Sequence, residues 1–175
     1  MNQESSAKPP LTHRLLSWGF QLAGLLLVLF LIHLWQTRDL VAGVAPPLSA
    51  NSLEGLPVDL ETLGSEPVVV HFWATWCPVC KLEAPAIDDL AEDHKVVTVA
   101  MQSGQAAEVS DYLEANELGF TTINDPQGKL SSTWRVRGLP TSYIIDENRQ
   151  VRFVSVGYTP ELTLRLRLWL LDNIL

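Results

Sequence analysis

The 175-residue chain has only two cysteines and two methionines, and both cysteines lie in one run, FWATWCPVCKLEAP, from Phe72 to Pro85. With no second cysteine pair, a four-ligand structural zinc site lacks a complete donor set. Basic residues are few: 12 Lys and Arg stand against 20 Asp and Glu, a net charge of −8. No basic patch is present to track a phosphate backbone, which excludes nucleic acid as the expected partner. Internal repeats and long low-complexity tracts are also missing, so a repeat array or a disordered scaffold is not expected.

Charge is absent altogether from Leu15 to Trp35, LLSWGFQLAGLLLVLFLIHLW. As a helix this run would be about 31 Å long, close to the roughly 30 Å hydrocarbon core of a bilayer. Trp18 and Trp35 stand near its ends, where amphipathic rings favour the headgroup region. A cleaved signal peptide would have an apolar region of about 7–15 residues, and the small residues Ala42 to Ala45 run into Pro46 and Pro47. The expectation is an uncleaved transmembrane helix over 15–35. Lys8 and Arg14 precede it, so residues 1–14 are expected in the cytoplasm and the rest outside. In a bacterial cell that places the C-terminal domain on the periplasmic side of the inner membrane, where disulfides persist. Residues 36–52 are rich in Ala, Gly, Pro and Ser and read as a linker. Residues 53–175 then form one domain, long enough to bury its own core.

Within that domain the apolar pattern alternates between strand and helix. Val68 to Trp73 (VVVHFW) and Val96 to Met101 read as strands buried on both faces. Pro78 to Asp93 and Gln105 to Leu118 carry helical spacing, and Pro85 should kink the first of these. A short strand is expected at Thr121–Asn124 and a short helix at Gln127–Val136. Ser142–Asp146 and Val151–Val156 read as an antiparallel hairpin, followed by a helix that Thr159 caps and Pro160 and Glu161 open. The layout is α/β with a mixed central sheet.

The cysteine pair admits a redox couple, a metal clip or a structural staple. A staple closing so short a loop stabilises by only roughly 2 kcal/mol on chain-entropy grounds. Two thiolates alone suit Cu(I), so a copper-binding role stays open. The placement favours redox chemistry. Cys77 falls where the strand gives way to the helix, and there unpaired amides and the macrodipole stabilise an anion. Such sites lower a thiol pKa from ~8.5 into a range of about 3.5–7.5. Cys80 lies one turn on, facing the same side but more enclosed, and can resolve a mixed disulfide made by Cys77. Trp76 would flank the exposed thiol.

WCPVC after an apolar strand, with GLPT (Gly138 to Thr141) ahead of the next strand, resembles the thioredoxin superfamily. The fuller run, with Lys81, Glu83 and Pro85 after the second cysteine, is similar to its membrane-anchored TlpA-like branch, which would add a helix and strand near Gln105–Asn124. Within that branch it most resembles the suppressor-of-copper-sensitivity group. The resemblance implies a thioredoxin fold, a redox-active Cys77–Cys80 disulfide, and a cis peptide before Pro140, with Trp76, Leu139 and Thr141 helping to shape the substrate groove. It implies protein thiol or disulfide substrates, a membrane electron donor as partner, no cofactor and no metal beyond the dithiol itself, and a setting in copper tolerance through reduction or repair of protein thiols. A reductant for cytochrome c maturation is the alternative within the class, although that group tends to carry Glu where this chain has Thr141. A Cu(I)-binding protein is the alternative outside it.

Two further residues are candidate proton relays. His71 occupies a strand position where relatives often carry a buried acid; it either manages the Cys80 proton or is a core histidine satisfied by backbone. Glu83 is either a relay or a favourable charge near the helix start. Met101, Trp134 and Trp169 read as packing residues.

Overall fold

The computed structural model describes residues 18, 21–28, 41, 43–63 and 66–173. The chain divides into two units, Met1–Arg38 and Asp39–Leu175. In the first, Trp18 is helical and residues 21–28 form helix α1. The rest of the expected transmembrane segment lies outside the described residues, and no helix among the described residues is long and apolar enough to cross a membrane.

The second unit is built on a six-stranded sheet in the order β1-β8-β7-β4-β5-β6. Its strands are β1 (Gly43–Val44), β4 (Val68–Trp73), β5 (Lys95–Met101), β6 (Thr122–Asp125), β7 (Thr141–Ile145) and β8 (Gln150–Val156), while β2 (Ser49–Asn51) and β3 (Pro57–Asp59) form a separate antiparallel pair. The helices are α2 (Pro78–Asp93), α3 (Ala106–Ala115), α4 (Lys129–Thr133) and α5 (Glu161–Asn173). β4 pairs in parallel with β5 and antiparallel with β7, so the sheet is mixed, as the alternating pattern predicts. α3 and β6 supply the additional helix and strand near Gln105–Asn124.

Every residue of β4 is buried, which explains why its sequence is nearly all apolar rather than alternating. Val68, Val70 and Phe72 enter one core layer with Trp134, Tyr143 and Leu48. Val69 and Trp73 enter the other, against Ile87 and Leu90 of α2, Val109 of α3 and Leu164 and Leu168 of α5. Period-two geometry puts His71 on this second face. Trp134 packs edge-on against Tyr143, whose hydroxyl donates to the Trp134 carbonyl at 2.6 Å.

Three expectations change. From Val41 onward the linker is part of the domain: Val41, Ala45 and Leu48 are buried in the first layer, and β1 extends the sheet beside β8. Its Ala- and Pro-rich composition hid three apolar residues that reach the core. Thr159 does not cap α5: the helix begins at Glu161, with Pro160 between, and the Thr159 hydroxyl donates to the Gly157 carbonyl at 3.2 Å. Trp169 is 53% exposed rather than packed, since α5 buries Leu164 and Leu168 instead. Pro85 sits inside α2 without ending it.

Candidate active site

The site forms where two distant segments are brought together by strand pairing. β4 and β7 run antiparallel with Phe72 opposite Thr141. The chain leaving β4 toward the cysteines therefore lies beside the chain entering β7, and Gly138–Thr141 faces Ala74–Cys80 across that end of the sheet. The peptide between Leu139 and Pro140 is cis. Pro140 is buried, and its carbonyl accepts from the Gly157 amide at 2.8 Å.

Cys77 is the N-cap residue of α2, with extended backbone, and Pro78 occupies the first helical position. The sequence dictates this arrangement: proline loses nothing at a position whose amide has no helical partner. The Sγ of Cys77 accepts from the backbone amide of Cys80 at 3.2 Å, and no acidic side chain stands in the first turn. Both features favour a negative charge on that sulfur. Cys77 and Cys80 are joined as a disulfide, their Cα atoms 5.3 Å apart.

The expected contrast between an outer and an inner sulfur is nearly absent: Cys77 is 4% exposed and Cys80 2%. The disulfide ties Cys77 to its partner within the second core layer. Exposure passes to its neighbours, above all Trp76, which is 58% exposed with its indole donating to the Gln102 carbonyl. Leu139 is half-buried and packs against both core layers. Thr141 is fully buried; its hydroxyl donates to the Gly138 carbonyl at 2.8 Å, so it braces the proline loop rather than lining a groove.

Glu83 is not the exposed charge near the helix start that one reading expected. It is fully buried, one turn beyond Cys80. One carboxylate oxygen accepts from the Thr159 amide at 3.3 Å, and the other is buried with no partner among the described residues. Burial raises its pKa to about 7, opposed by the Thr159 hydrogen bond. His71 is also buried, but its Nδ1 pairs with the Ser142 hydroxyl at 2.9 Å rather than with backbone. Burial lowers its pKa to about 3, so it is neutral across the physiological range. Met101 packs against the first core layer, whereas the cysteines belong to the second. Among the described residues no group of three or more His, Cys, Asp or Glu is placed to hold a metal ion.

A feature of the site that sequence reasoning missed is the Gly157–Thr159 segment. It links the Glu83 carboxylate to the Pro140 carbonyl through two backbone amides. Nothing in its side chains could have signalled this.

A cysteine pair at a helix N-terminus, a cis-proline loop beside it and a mixed sheet behind define a thioredoxin-like thiol–disulfide oxidoreductase. Residues 41–154 match the AhpC/TSA family. A thioredoxin-like protein of Haemophilus influenzae is 34% identical over 158 residues, covering 89% of this chain and 94% of the relative. The sporulation thiol-disulfide oxidoreductase A of Bacillus subtilis is 27% identical over 154 residues, covering 84% and 92%. The crystal structure of StoA from Bacillus subtilis shares the fold with a TM-score of 0.63 at 24% identity, over 71% of this chain and 97% of that one. The chain belongs to the AhpC/TSA family.

Proposed function

We propose that this protein is anchored in the bacterial inner membrane by residues 15–35 and presents its thioredoxin-like domain to the periplasm, where it reduces or repairs protein thiols. The observation that carries the reading is Cys77 at the N-cap of α2, its sulfur already accepting a backbone amide and bonded to a cysteine one turn away. In the reduced protein the Cys77 thiolate attacks a substrate disulfide. The substrate S–S bond breaks, one substrate sulfur leaves as a thiolate and takes up a proton, and a mixed disulfide remains. Glu83 accepts the proton of Cys80, and the Cys80 thiolate then attacks the Cys77 sulfur. That step releases the second substrate thiol and closes the Cys77–Cys80 disulfide. Two electrons pass to the substrate, and a dithiol donor in the membrane restores the protein. Neutral His71 holds Ser142 rather than moving this proton.

The groove is assigned to Trp76, Leu139 and Pro140, with Thr141 bracing the loop. The WCPVC run and the charge-free segment support a place in copper tolerance, alongside the suppressor-of-copper-sensitivity group. Thr141 after the proline, in place of Glu, weighs against a reductant for cytochrome c maturation.

The test is an insulin-type reduction assay on the reduced full-length chain, run beside a Cu(I) titration. Catalytic reduction of the insulin disulfides is the expected result. Tight stoichiometric Cu(I) binding with no turnover would make the protein a copper carrier instead.

A further inference from the structure

The turn that delivers Cys77 is held from outside by the loop after β5. Its ends are joined by the Cys77 amide donating to the Ala74 carbonyl at 3.1 Å. Both central residues are gripped across the gap. The Thr75 amide donates to Ser103 Oγ at 3.1 Å, and the Trp76 indole Nε1 donates to the Gln102 carbonyl at 3.0 Å. Ser103 is buried, and its own hydroxyl proton goes to the Met101 carbonyl at 3.1 Å, which orients its lone pairs toward Thr75.

The gripping loop is fixed in turn. Gln102 has φ +47° and Gly104 φ +93°. The Gln102 amide donates to the Asp125 carbonyl at 3.0 Å, and Asn124 Nδ2 donates to the Gly104 carbonyl at 3.2 Å. At the start of α3 the Glu108 carboxylate accepts from the Gln105 amide at 2.6 Å, and it fills the space beside Gly104: an added Cβ would lie 2.1 Å from its oxygen. β6 and α3 thus hold the loop, and the loop holds the redox turn.

We infer that Ser103, with the Gln102 carbonyl, is a positioning clamp that fixes the Trp76 indole beside Cys77 and governs which reagents reach its sulfur. A half-exposed tryptophan would ordinarily sample several rotamers. Held by its indole N–H, it presents one fixed apolar face to an incoming polypeptide at little entropic cost. The same rigidity keeps Cys77 nearly closed to solvent. The clamp rests on the thiol-exchange reading above for its protein substrate, but not for its effect on access to the sulfur.

The two effects move in opposite directions when the clamp is released. In the reduced full-length chain, Ser103→Ala is expected to speed iodoacetamide alkylation of Cys77 about threefold, read on the Cys77 peptide by mass spectrometry. It is expected to lower kcat/KM for insulin about fivefold, mainly through KM, as suits the loss of one hydrogen bond. Ser103→Thr keeps the hydroxyl and restores both values. Trp76→Phe, at a surface position where folding is undisturbed, keeps a ring but removes the donor and gives the same opposed pair. The clamp is overturned if alkylation is unchanged in both variants, or if alkylation and insulin reduction slow together. A wild-type chain that reduces no insulin overturns the exchange reading alone, and the alkylation rates then decide the clamp by themselves.

Discussion

Replacing Cys80 with serine is expected to stop turnover and leave a covalent complex between Cys77 and substrate. The resolving step needs a second thiolate one turn from the first, and no other cysteine exists in the chain to supply it. Cys77→Ser should lose turnover to the same extent, on the order of 10³-fold or more, because the two sulfurs act as a unit. It should trap nothing, because the remaining thiol lacks the N-cap position that favours a thiolate. Non-reducing gels of the two variants mixed with a disulfide substrate distinguish them. An adduct on Cys77→Ser but not on Cys80→Ser would reverse the assigned roles.

Glu83→Gln is expected to slow the resolving step at pH 7 roughly 10²-fold, the lower end of what a positioned base contributes. The amide oxygen of Gln can still accept from Thr159, so the loop contact survives and the loss isolates the proton transfer. Stability should respond in the other direction. The folded-state pKa of Glu83 is raised from 4.5 to about 7, so its stabilising contribution is complete below about pH 4.5 and disappears as the pH rises toward 7. That difference corresponds to roughly 3 kcal/mol. Urea unfolding of the wild type and Glu83→Gln at pH 4.5 and pH 8 should show the variant gaining on the wild type by about this amount. His71 has the opposite sign: with its pKa lowered to about 3, stability falls as the pH drops below 6.5. The two slopes oppose each other near pH 5–6, which is why the comparison must be between variants rather than along one pH curve. Parallel unfolding profiles for the two proteins would show that Glu83 titrates normally.

The elements that carry the site were legible because their signals are local. Val68–Trp73 is apolar on both faces, Pro78 follows Cys77 as a first helical residue should, and α2 runs over the span its spacing predicts. What escaped depends on contacts distant in sequence. Glu83 looks like a surface charge near a helix start until Thr159, 76 residues on, closes over it. Thr141 carries a family expectation of substrate contact, yet pairing with Phe72 on one side and Val156 on the other buries it. The segment around Leu48 resembles a tether because three apolar residues in a Pro- and Ala-rich stretch give no periodicity. Cys77 reads as the exposed thiol of the pair, flanked by Trp76, yet it is 4% exposed. Helix position favours a charge on the sulfur, whereas its exposure depends on packing in the second core layer, which the local sequence does not reveal.

The most direct measurement is the ionisation of Cys77 in the reduced protein, followed through the pH dependence of its iodoacetamide alkylation. A midpoint below about 7.5 is the predicted result, since the N-cap position and the Cys80 amide both hold a thiolate. A midpoint near 8.5, that of an ordinary cysteine, would contradict the account.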